Sequence, residues 1–140
     1  MEKVSVSTDF QYRTINHTQS KHVILADTTV EAGGTDQAPN PEELLLSALG
    51  SCKVMTLHMY ADRKGWDLHK VEIDLEYEKL DAHDVPDYHG EEKHVHVMRA
   101  KITLHGNLDE EQRARLLQIA DKCPVHRIIS GPNIIETTPA

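Results

Sequence analysis

The longest stretch of this chain with apolar residues at helical spacing runs over residues 41–64, and no proline interrupts it after its first position. Asn40 is a residue type that caps helices, and Pro41 and Glu42 suit the first turn, where the helix dipole is positive. Gly65 follows and is a residue that commonly ends helices. The sequence therefore predicts one long helix over 41–64, which the remaining elements must cover.

One face of this predicted helix is apolar and carries a cysteine. Gly50, one turn into the apolar region, is expected either to bend the helix or to allow another segment to approach closely. Helical spacing places on this face, in order, Leu45, Ala48, Leu49, Cys52, Met55 and Met59.

Alternation of apolar and polar residues predicts strands on both sides of the helix. Residues 4–12 and 21–26 predict a β-hairpin within residues 1–30, followed by a loop to Asn40. Further strands are expected at 71–78 and 98–104, and Ile134 and Ile135 suggest a short last strand. A second helix is expected over 109–123, with Asp109 and Gln112 forming a capping box and Pro124 ending it.

These elements predict a single α+β domain over 1–140, with antiparallel sheets and no repeat. The net charge of −8, without a basic cluster, argues against nucleic acid and against an anionic membrane surface as partners. No apolar run of membrane-spanning length and no signal peptide is recognised, so a cytoplasmic location is the expectation.

The chain has two cysteines, Cys52 and Cys123. They are either a redox couple or two inert, buried thiols. Thiol chemistry requires a thiolate beside a positive group, for which Arg13, Arg127 and His126 are candidates. Cys123 is predicted at a helix C-terminus, where the dipole disfavours a thiolate. That position suits a resolving thiol better than a first nucleophile, so Cys52 is the expected peroxide-attacking residue.

The run from Pro41 to Cys52, Pro-Glu-Glu-Leu-Leu-Leu-Ser-Ala-Leu-Gly-Ser-Cys, resembles the central helix of the OsmC/Ohr family of osmotically induced and organic hydroperoxide resistance proteins. The run Cys-Pro-Val-His-Arg at 123–127 resembles the second cysteine motif of that family. The resemblance implies an intertwined homodimer, with antiparallel sheets wrapped around long central helices and with sites at the subunit interface. It also implies reduction of organic hydroperoxides, with a dithiol such as a dihydrolipoyl group as the reductant.

The resemblance also assigns roles to residues. Cys52 matches the peroxidatic cysteine and Cys123 the resolving cysteine, and the two would form a disulfide. Glu42 matches a glutamate that holds an arginine against the reactive thiolate. Arg13 is the candidate for that arginine, although the family's glycine-containing N-terminal hairpin is not matched, since no glycine precedes Gly33. No cofactor and no metal is expected.

Other functions remain open from the sequence. The same fold and pocket could serve a small-molecule binding protein with little peroxidase activity. A Cys-His hydrolase would need an oxyanion hole that the sequence does not show. A metal site is conceivable in the polar segment 81–96, but the spacing fits no standard motif and a solvated loop is the preferred interpretation. The candidate ligands there are His83, His89, His94, His96, Asp81, Asp84, Asp87, Glu91 and Glu92.

Overall fold

A computed structural model describes all 140 residues and shows an α+β chain with two antiparallel sheets. The chain divides into two compact units, Met1–Ser47 and Ala48–Ala140. The elements are β1 (Val4–Phe10), β2 (Arg13–Thr18), β3 (Val23–Ala26), α1 (Pro41–Lys64), β4 (Asp67–Asp81), β5 (His94–Asn107), α2 (Glu110–Ala120) and α3 (Pro124–Ser130), with a short 3₁₀ turn at Ala82–Asp84.

The N-terminal unit contains a three-stranded sheet in the order β1-β2-β3, and not the predicted two-stranded hairpin. The chain reverses after Phe10, where Gln11 takes a positive φ of 50°, and β2 pairs with both neighbours. The strand β2 was missed because Asn16 and His17 suggest a turn. Asn16 instead donates a hydrogen bond from its side chain to the Ile24 carbonyl, at 2.9 Å.

The loop between β3 and α1 is organised around Asp27, a buried carboxylate with 3% exposure. Asp27 accepts backbone hydrogen bonds from Thr28 (2.8 Å) and Gln37 (3.2 Å) and a hydroxyl hydrogen bond from Thr35. These hydrogen bonds, led by that from the Thr35 hydroxyl, lower the pKa of Asp27 from 3.8 to about 2. The role of Asp27 was not predicted from the sequence.

The predicted helix over 41–64 is confirmed as α1. Asn40 and Glu43 form a reciprocal cap: the Glu43 N–H donates to the Asn40 side chain (2.8 Å), and the Asn40 N–H donates to the Glu43 carboxylate (2.9 Å). At the other end Gly65 has φ of +66°, and the Trp66 N–H returns to the Ala61 carbonyl, at 2.9 Å. This is the glycine-terminated ending that the sequence predicted.

The second unit packs α1 and α2 against the long hairpin of β4 and β5. These strands pair antiparallel from Asp67 opposite Asn107 to Asp81 opposite His94, with one register shift between Leu68 and Lys70. Gly50 brings α1 close to the sheet, since a Cβ there would lie 2.7 Å from the Leu75 side chain. The buried core consists of Leu57, Ala61, Leu68, Val71, Leu108, Leu116, Ile119 and Ala120.

The predicted apolar face of α1 is wrong for its later turns. The buried positions are Leu49, Lys53, Leu57 and Ala61, each four residues after the last, together with Gly50. Met55 and Met59 are 58% and 68% exposed in the single chain. Because Lys53 is not apolar, the apolar spacing did not include its position, and the predicted face lies to one side of the buried one.

The C-terminal segment also differs from the prediction. α2 ends at Ala120 and not at Cys123, and a further helix, α3, begins at Pro124. The capping box of Asp109 and Gln112 is present. No strand forms at Ile134 and Ile135, which are each 90% exposed and pair with no strand of either sheet.

α1 is long and apolar enough to cross a membrane by length and composition alone, contrary to the prediction that no segment reaches that limit. Core helices of water-soluble proteins meet the same criterion. Here Leu57 and Ala61 are fully buried against α2 and the β4–β5 hairpin, so core packing accounts for part of this apolar character.

Candidate functional site

The two cysteines approach each other within the second unit although 70 residues separate them in the sequence. Both are free thiols, and the Cys52 side chain is near enough to contribute to the raised pKa of the Cys123 thiol. Cys52 lies in the middle of α1 and is partly exposed, whereas Cys123 is fully buried, at 0% exposure. The fold thus builds a thiol pair in which one sulfur is accessible and the other is not.

Cys123 occupies the N-cap of α3, which corrects the prediction that it ends a helix. Its backbone is extended (φ −64°, ψ 143°), and its sulfur accepts the backbone N–H of His126 at 3.3 Å. Pro124 keeps Cys123 out of helical geometry, as expected, and also starts the next helix. Burial raises the pKa of the Cys123 thiol above its ordinary value of 9.0, with a further contribution from the neighbouring Cys52.

A buried lysine joins α1 to the turn that carries Cys123. Lys53 is only 3% exposed, and its Nζ lies 2.9 Å from the Ala120 carbonyl, 3.1 Å from Asp121 Oδ1 and 3.2 Å from His126 Nδ1. Its positive charge lowers the pKa of the Cys123 thiol, whereas burial raises that pKa. This lysine is therefore the cation that the second unit itself supplies beside the thiol pair.

An open pocket of about 390 Å³ lies on the other side of this cluster. Lys53, Asp121 and His126 line one end, and His96 and Ser130 supply further polar groups. Its apolar wall comes from α1, both long strands and α3: Leu49, Leu75, Met98, Ala100 and Ile129. Neither cysteine is part of the lining. Such a pocket, apolar with a few polar groups, suits a small amphiphilic molecule.

The residues predicted to activate the thiol belong to the N-terminal unit. Glu42 is exposed in the first turn of α1 and forms no hydrogen bond or ion pair in the chain. Arg13, at the start of β2, forms an ion pair with Asp9 (Nε to Oδ2, 2.6 Å) and donates to the Gln37 side chain. Arg13 and Glu42 are thus not paired within the single chain, and their predicted roles stay predictions.

The model of the family described as OsmC-like protein matches residues 34–138, a span that includes α1, both long strands and both cysteines. The chain belongs to the OsmC-like protein family. The resemblance that the two cysteine segments suggested is thereby confirmed, and the observed α+β arrangement agrees with it.

Solved structures of OsmC-like and organic hydroperoxide resistance proteins share the fold. An OsmC-like protein from Mycoplasma pneumoniae superposes with a TM-score of 0.73 at 15% identity, covering 94% of this chain and 88% of that one. An organic hydroperoxide resistance protein OsmC from Legionella pneumophila gives a TM-score of 0.68 at 17% identity, with 94% and 90% covered. An organic hydroperoxide resistance protein from Elizabethkingia anophelis, crystallised with thiocyanate, gives 0.68 at 12%, with 94% and 89% covered.

No match is found among curated proteins. At identities this low, the structural likeness establishes the fold of this OsmC-like chain and leaves its activity to be argued from its own residues.

Lys53 is the site residue that the sequence analysis missed. The available signal was its position: it lies four residues after Leu49 and four before Leu57, in the middle of a buried helical face. Lysines are almost never fully buried without partners, so a lysine at such a position predicts a specific charged or polar contact. His126 was named only as one possible neighbour of a thiolate, and its contact with Lys53 was not foreseen.

The polar segment between the long strands contains one compact group of possible metal ligands. Ligand atoms of Asp81, His83 and Asp84 lie within 4.8 Å of one another, and all three residues are exposed. His94 forms an ion pair with Asp81 (2.9 Å), and His96 accepts or donates a hydrogen bond with Tyr77 (2.9 Å). These contacts fit the interpretation of 81–96 as a solvated segment at the end of the hairpin.

Proposed function

We propose that this OsmC-like protein is a thiol-dependent peroxidase that reduces organic hydroperoxides to alcohols. The observation that carries the proposal is the thiol pair itself: a partly exposed Cys52 within reach of a buried Cys123, each free. An accessible thiol beside a protected one is the arrangement that a peroxidatic and a resolving cysteine require.

The exposure of the two sulfurs assigns their roles. The partly exposed Cys52 can meet a peroxide, whereas Cys123 is fully buried and its raised pKa makes it a poor first nucleophile. The same roles were predicted from a helix C-terminus at Cys123, but Cys123 is the N-cap of α3. Burial, and not the helix dipole, is the physical reason for the asymmetry.

The reaction then has three balanced steps. The Cys52 thiolate attacks the distal peroxide oxygen, the O–O bond breaks, and the alkoxide leaves as an alcohol after taking a proton. Cys123 attacks the resulting sulfenic sulfur, forming the disulfide and releasing water. A dithiol reductant, such as a dihydrolipoyl group, donates two electrons by thiol–disulfide exchange and restores both thiols.

Arg13 and Glu42 are proposed to support the first step, with Glu42 holding Arg13 against the Cys52 thiolate. The resemblance to the family supports this part. For this role Arg13 must leave its ion pair with Asp9 and form one with Glu42. The proposed active arrangement of these residues therefore differs from that of the single chain.

A homodimer is part of the same proposal. The uncovered apolar residues of α1, Leu45, Met55 and Met59, and those of β1, Val4, Val6 and Phe10, are between 41% and 68% exposed. Within α1, Met55 and Met59 lie one turn apart on the same exposed face, an arrangement that suits a protein–protein interface. A second copy of the chain is the partner that the family resemblance favours.

The test is to treat the fully reduced protein with one equivalent of cumene hydroperoxide and to measure intact mass after thiol blocking under denaturing conditions. The parent is expected to lose two hydrogens and to retain no blockable thiol, as a Cys52–Cys123 disulfide requires. Cys52→Ser should consume no peroxide, and Cys123→Ser should consume it but stop at a sulfenic acid that over-oxidises.

A matched reaction with hydrogen peroxide shows whether an organic substituent is preferred, as the apolar pocket wall would favour. If both thiols of the parent remain fully blockable, or if Cys52→Ser consumes cumene hydroperoxide at the parental rate, the peroxidase assignment is wrong.

The second candidate function is binding of a small amphiphile without turnover, and the pocket of about 390 Å³ favours it. In that case the thiols would be inert to peroxide. A fatty acid or similar amphiphile would change the nuclear magnetic resonance chemical shifts of pocket residues such as Met98 and Ile129. Peroxide-driven disulfide formation together with an unperturbed pocket would exclude this alternative.

A further inference from the structure

Lys53 is a buried charge that the three proposed steps do not use. Burial of an ammonium group is costly unless each of its protons is accepted. Lys53 has three acceptors for three protons, the Ala120 carbonyl, Asp121 Oδ1 and His126 Nδ1, all within 3.2 Å.

The three acceptors surround the turn that carries Cys123. Ala120 is the last residue of α2, Asp121 follows it, and His126 lies in the first turn of α3. The His126 backbone N–H also donates to the Cys123 sulfur, at 3.3 Å. One side chain of α1, adjacent in sequence to Cys52, therefore holds both sides of the turn that presents Cys123.

We propose that Lys53 is a positioning residue for the Cys52–Cys123 couple, whose ammonium ties the Cys123 turn to α1 and supplies a fixed positive charge beside the Cys123 sulfur. This inference rests on the proposed peroxidase function and deepens it, since it assigns Lys53 to the second step. In that step the Cys123 thiolate forms the S–S bond as the sulfenic S–O bond breaks. The departing hydroxide takes up the proton that Cys123 lost, and Lys53 keeps its charge throughout.

The surroundings of Cys123 explain why a cation is needed there. Burial and the neighbouring Cys52 raise the pKa of Cys123, whereas the His126 backbone N–H and Lys53 act in the opposite direction. Asp121, the nearby carboxylate, is bound to Lys53 and is mostly exposed, with 70% of its side chain accessible. Removal of Lys53 would leave a buried thiol without a cation from its own unit.

The first experiment compares Lys53→Met, Lys53→Arg and the parent after one equivalent of cumene hydroperoxide, with the sulfenic acid trapped by dimedone and the disulfide followed by intact mass. In Lys53→Met the first equivalent of peroxide should accumulate as a Cys52 sulfenic acid that dimedone traps, because the second step is the one that slows. Its disulfide should form roughly tenfold more slowly, because the ammonium no longer favours the Cys123 thiolate and no longer ties the Cys123 turn to α1. Lys53→Arg, which keeps the charge, should recover most of the rate.

The matched control is Lys122→Met, which removes one positive charge from the exposed residue next to Cys123 in the sequence. It should close the disulfide at the parental rate. Circular dichroism verifies that each variant is folded, and Lys53→Gln replaces Lys53→Met if the latter does not fold. Parental closure rates in a folded Lys53→Met or Lys53→Gln protein would overturn the inference while the peroxidase function stood.

A second measurement does not depend on peroxide. In a Cys52→Ser background, the difference in ultraviolet absorbance from the matching Cys52→Ser/Cys123→Ser protein cancels the four tyrosines and reports the titration of Cys123 alone. Lys53→Met should move that titration to higher pH and Lys122→Met should not, a difference that a purely structural role would not produce. An unchanged titration would overturn the inference. If the parent forms neither sulfenic acid nor disulfide, the peroxidase function fails, and this titration still decides what Lys53 does to Cys123.

Discussion

Single residues in this chain acquire their chemistry from where the backbone places them, and Cys123 illustrates this. If Cys123 were the last residue of α2, as predicted, its sulfur would lie near the unpaired carbonyl groups at the negative end of the helix dipole. At the N-cap of α3 it instead faces the His126 N–H. Pro124 is the residue that determines the difference, because proline is excluded from the interior of a helix and is favoured in its first turn.

Asp27 allows a prediction about pH. Its pKa of about 2 lies below the 3.8 of an unperturbed carboxyl, so the folded state favours the ionised form. The resulting stability is fully present above the unfolded pKa and is lost as pH falls from 3.8 to about 2. Asp27→Asn should therefore lower the free energy of unfolding at neutral pH, and the gap to the parent should narrow as pH falls through that interval.

Urea unfolding at several pH values measures this gap. Asp36→Asn is the matched control in the same loop, since Asp36 is exposed and asparagine tolerates its positive φ of 52°. A gap between Asp27→Asn and the parent that stays constant down to pH about 2 would contradict the assigned role of the ionised carboxylate.

At the scale of elements, a helix or strand was predicted correctly where the sequence carries signals for both of its ends. The helix over 41–64 has a cap, an acidic first turn and a terminal glycine, and both its ends were predicted correctly. β2 was missed because Asn16 and His17 suggest a turn, and α3 was missed because Pro124 was taken only as the end of the preceding helix. Their presence depends on tertiary pairing and on a cap, which periodicity does not report.

The candidate site shows the same division. The sequence identified both cysteines, since each lies in a distinctive segment, but it could not bring them together across the 70 residues between them. The core face of α1 was predicted from the spacing of apolar residues, and Lys53 is not apolar, so its burial was not predicted. A buried charge whose partners, Asp121 and His126, lie far along the chain is visible only after folding.

Packing of α2 against the core gives a prediction with a built-in control. Leu116 is fully buried and the adjacent Leu117 is 49% exposed, so the two differ in burial but not in chemistry. Leu116→Ala should lower the free energy of unfolding by about 2–5 kcal/mol through lost apolar burial and a residual cavity. Leu117→Ala should cost less than about 1 kcal/mol. Urea denaturation measures both, and equal losses would mean that α2 presents another face to the core.

At the scale of the whole molecule, the chain combines a net charge of −8 with apolar surface that its own elements leave uncovered. Net negative charge keeps copies apart in solution, whereas an exposed apolar helix face favours association. The acidic outer face of β4, with Glu72, Asp74, Glu76 and Glu78, does not overlap with the uncovered apolar residues of α1. Association through α1 would thus bury apolar surface and leave these charges in solvent.

We therefore expect Met55→Glu combined with Met59→Glu to convert a dimer into a monomer that retains its fold. A symmetric interface carries each substitution twice, and burial of each methionine contributes about 1.5–3 kcal/mol. Since every 1.4 kcal/mol changes a dissociation constant about tenfold, the expected loss of affinity exceeds about a thousandfold. Analytical ultracentrifugation measures the oligomeric state, and circular dichroism measures the fold.

Ala114→Glu, at an exposed position of α2, adds the same kind of charge away from α1 and should leave the dimer intact. A parent that sediments as a monomer would refute the assembly, and a double variant that stays dimeric would move the interface away from this face of α1. If the variant is monomeric and also reacts more slowly with cumene hydroperoxide, assembly completes the peroxidatic site, as expected if Arg13 and Glu42 reach Cys52 only in the dimer. If the monomer reacts at the parental rate, the thiol pair and Lys53 of a single chain suffice for the chemistry.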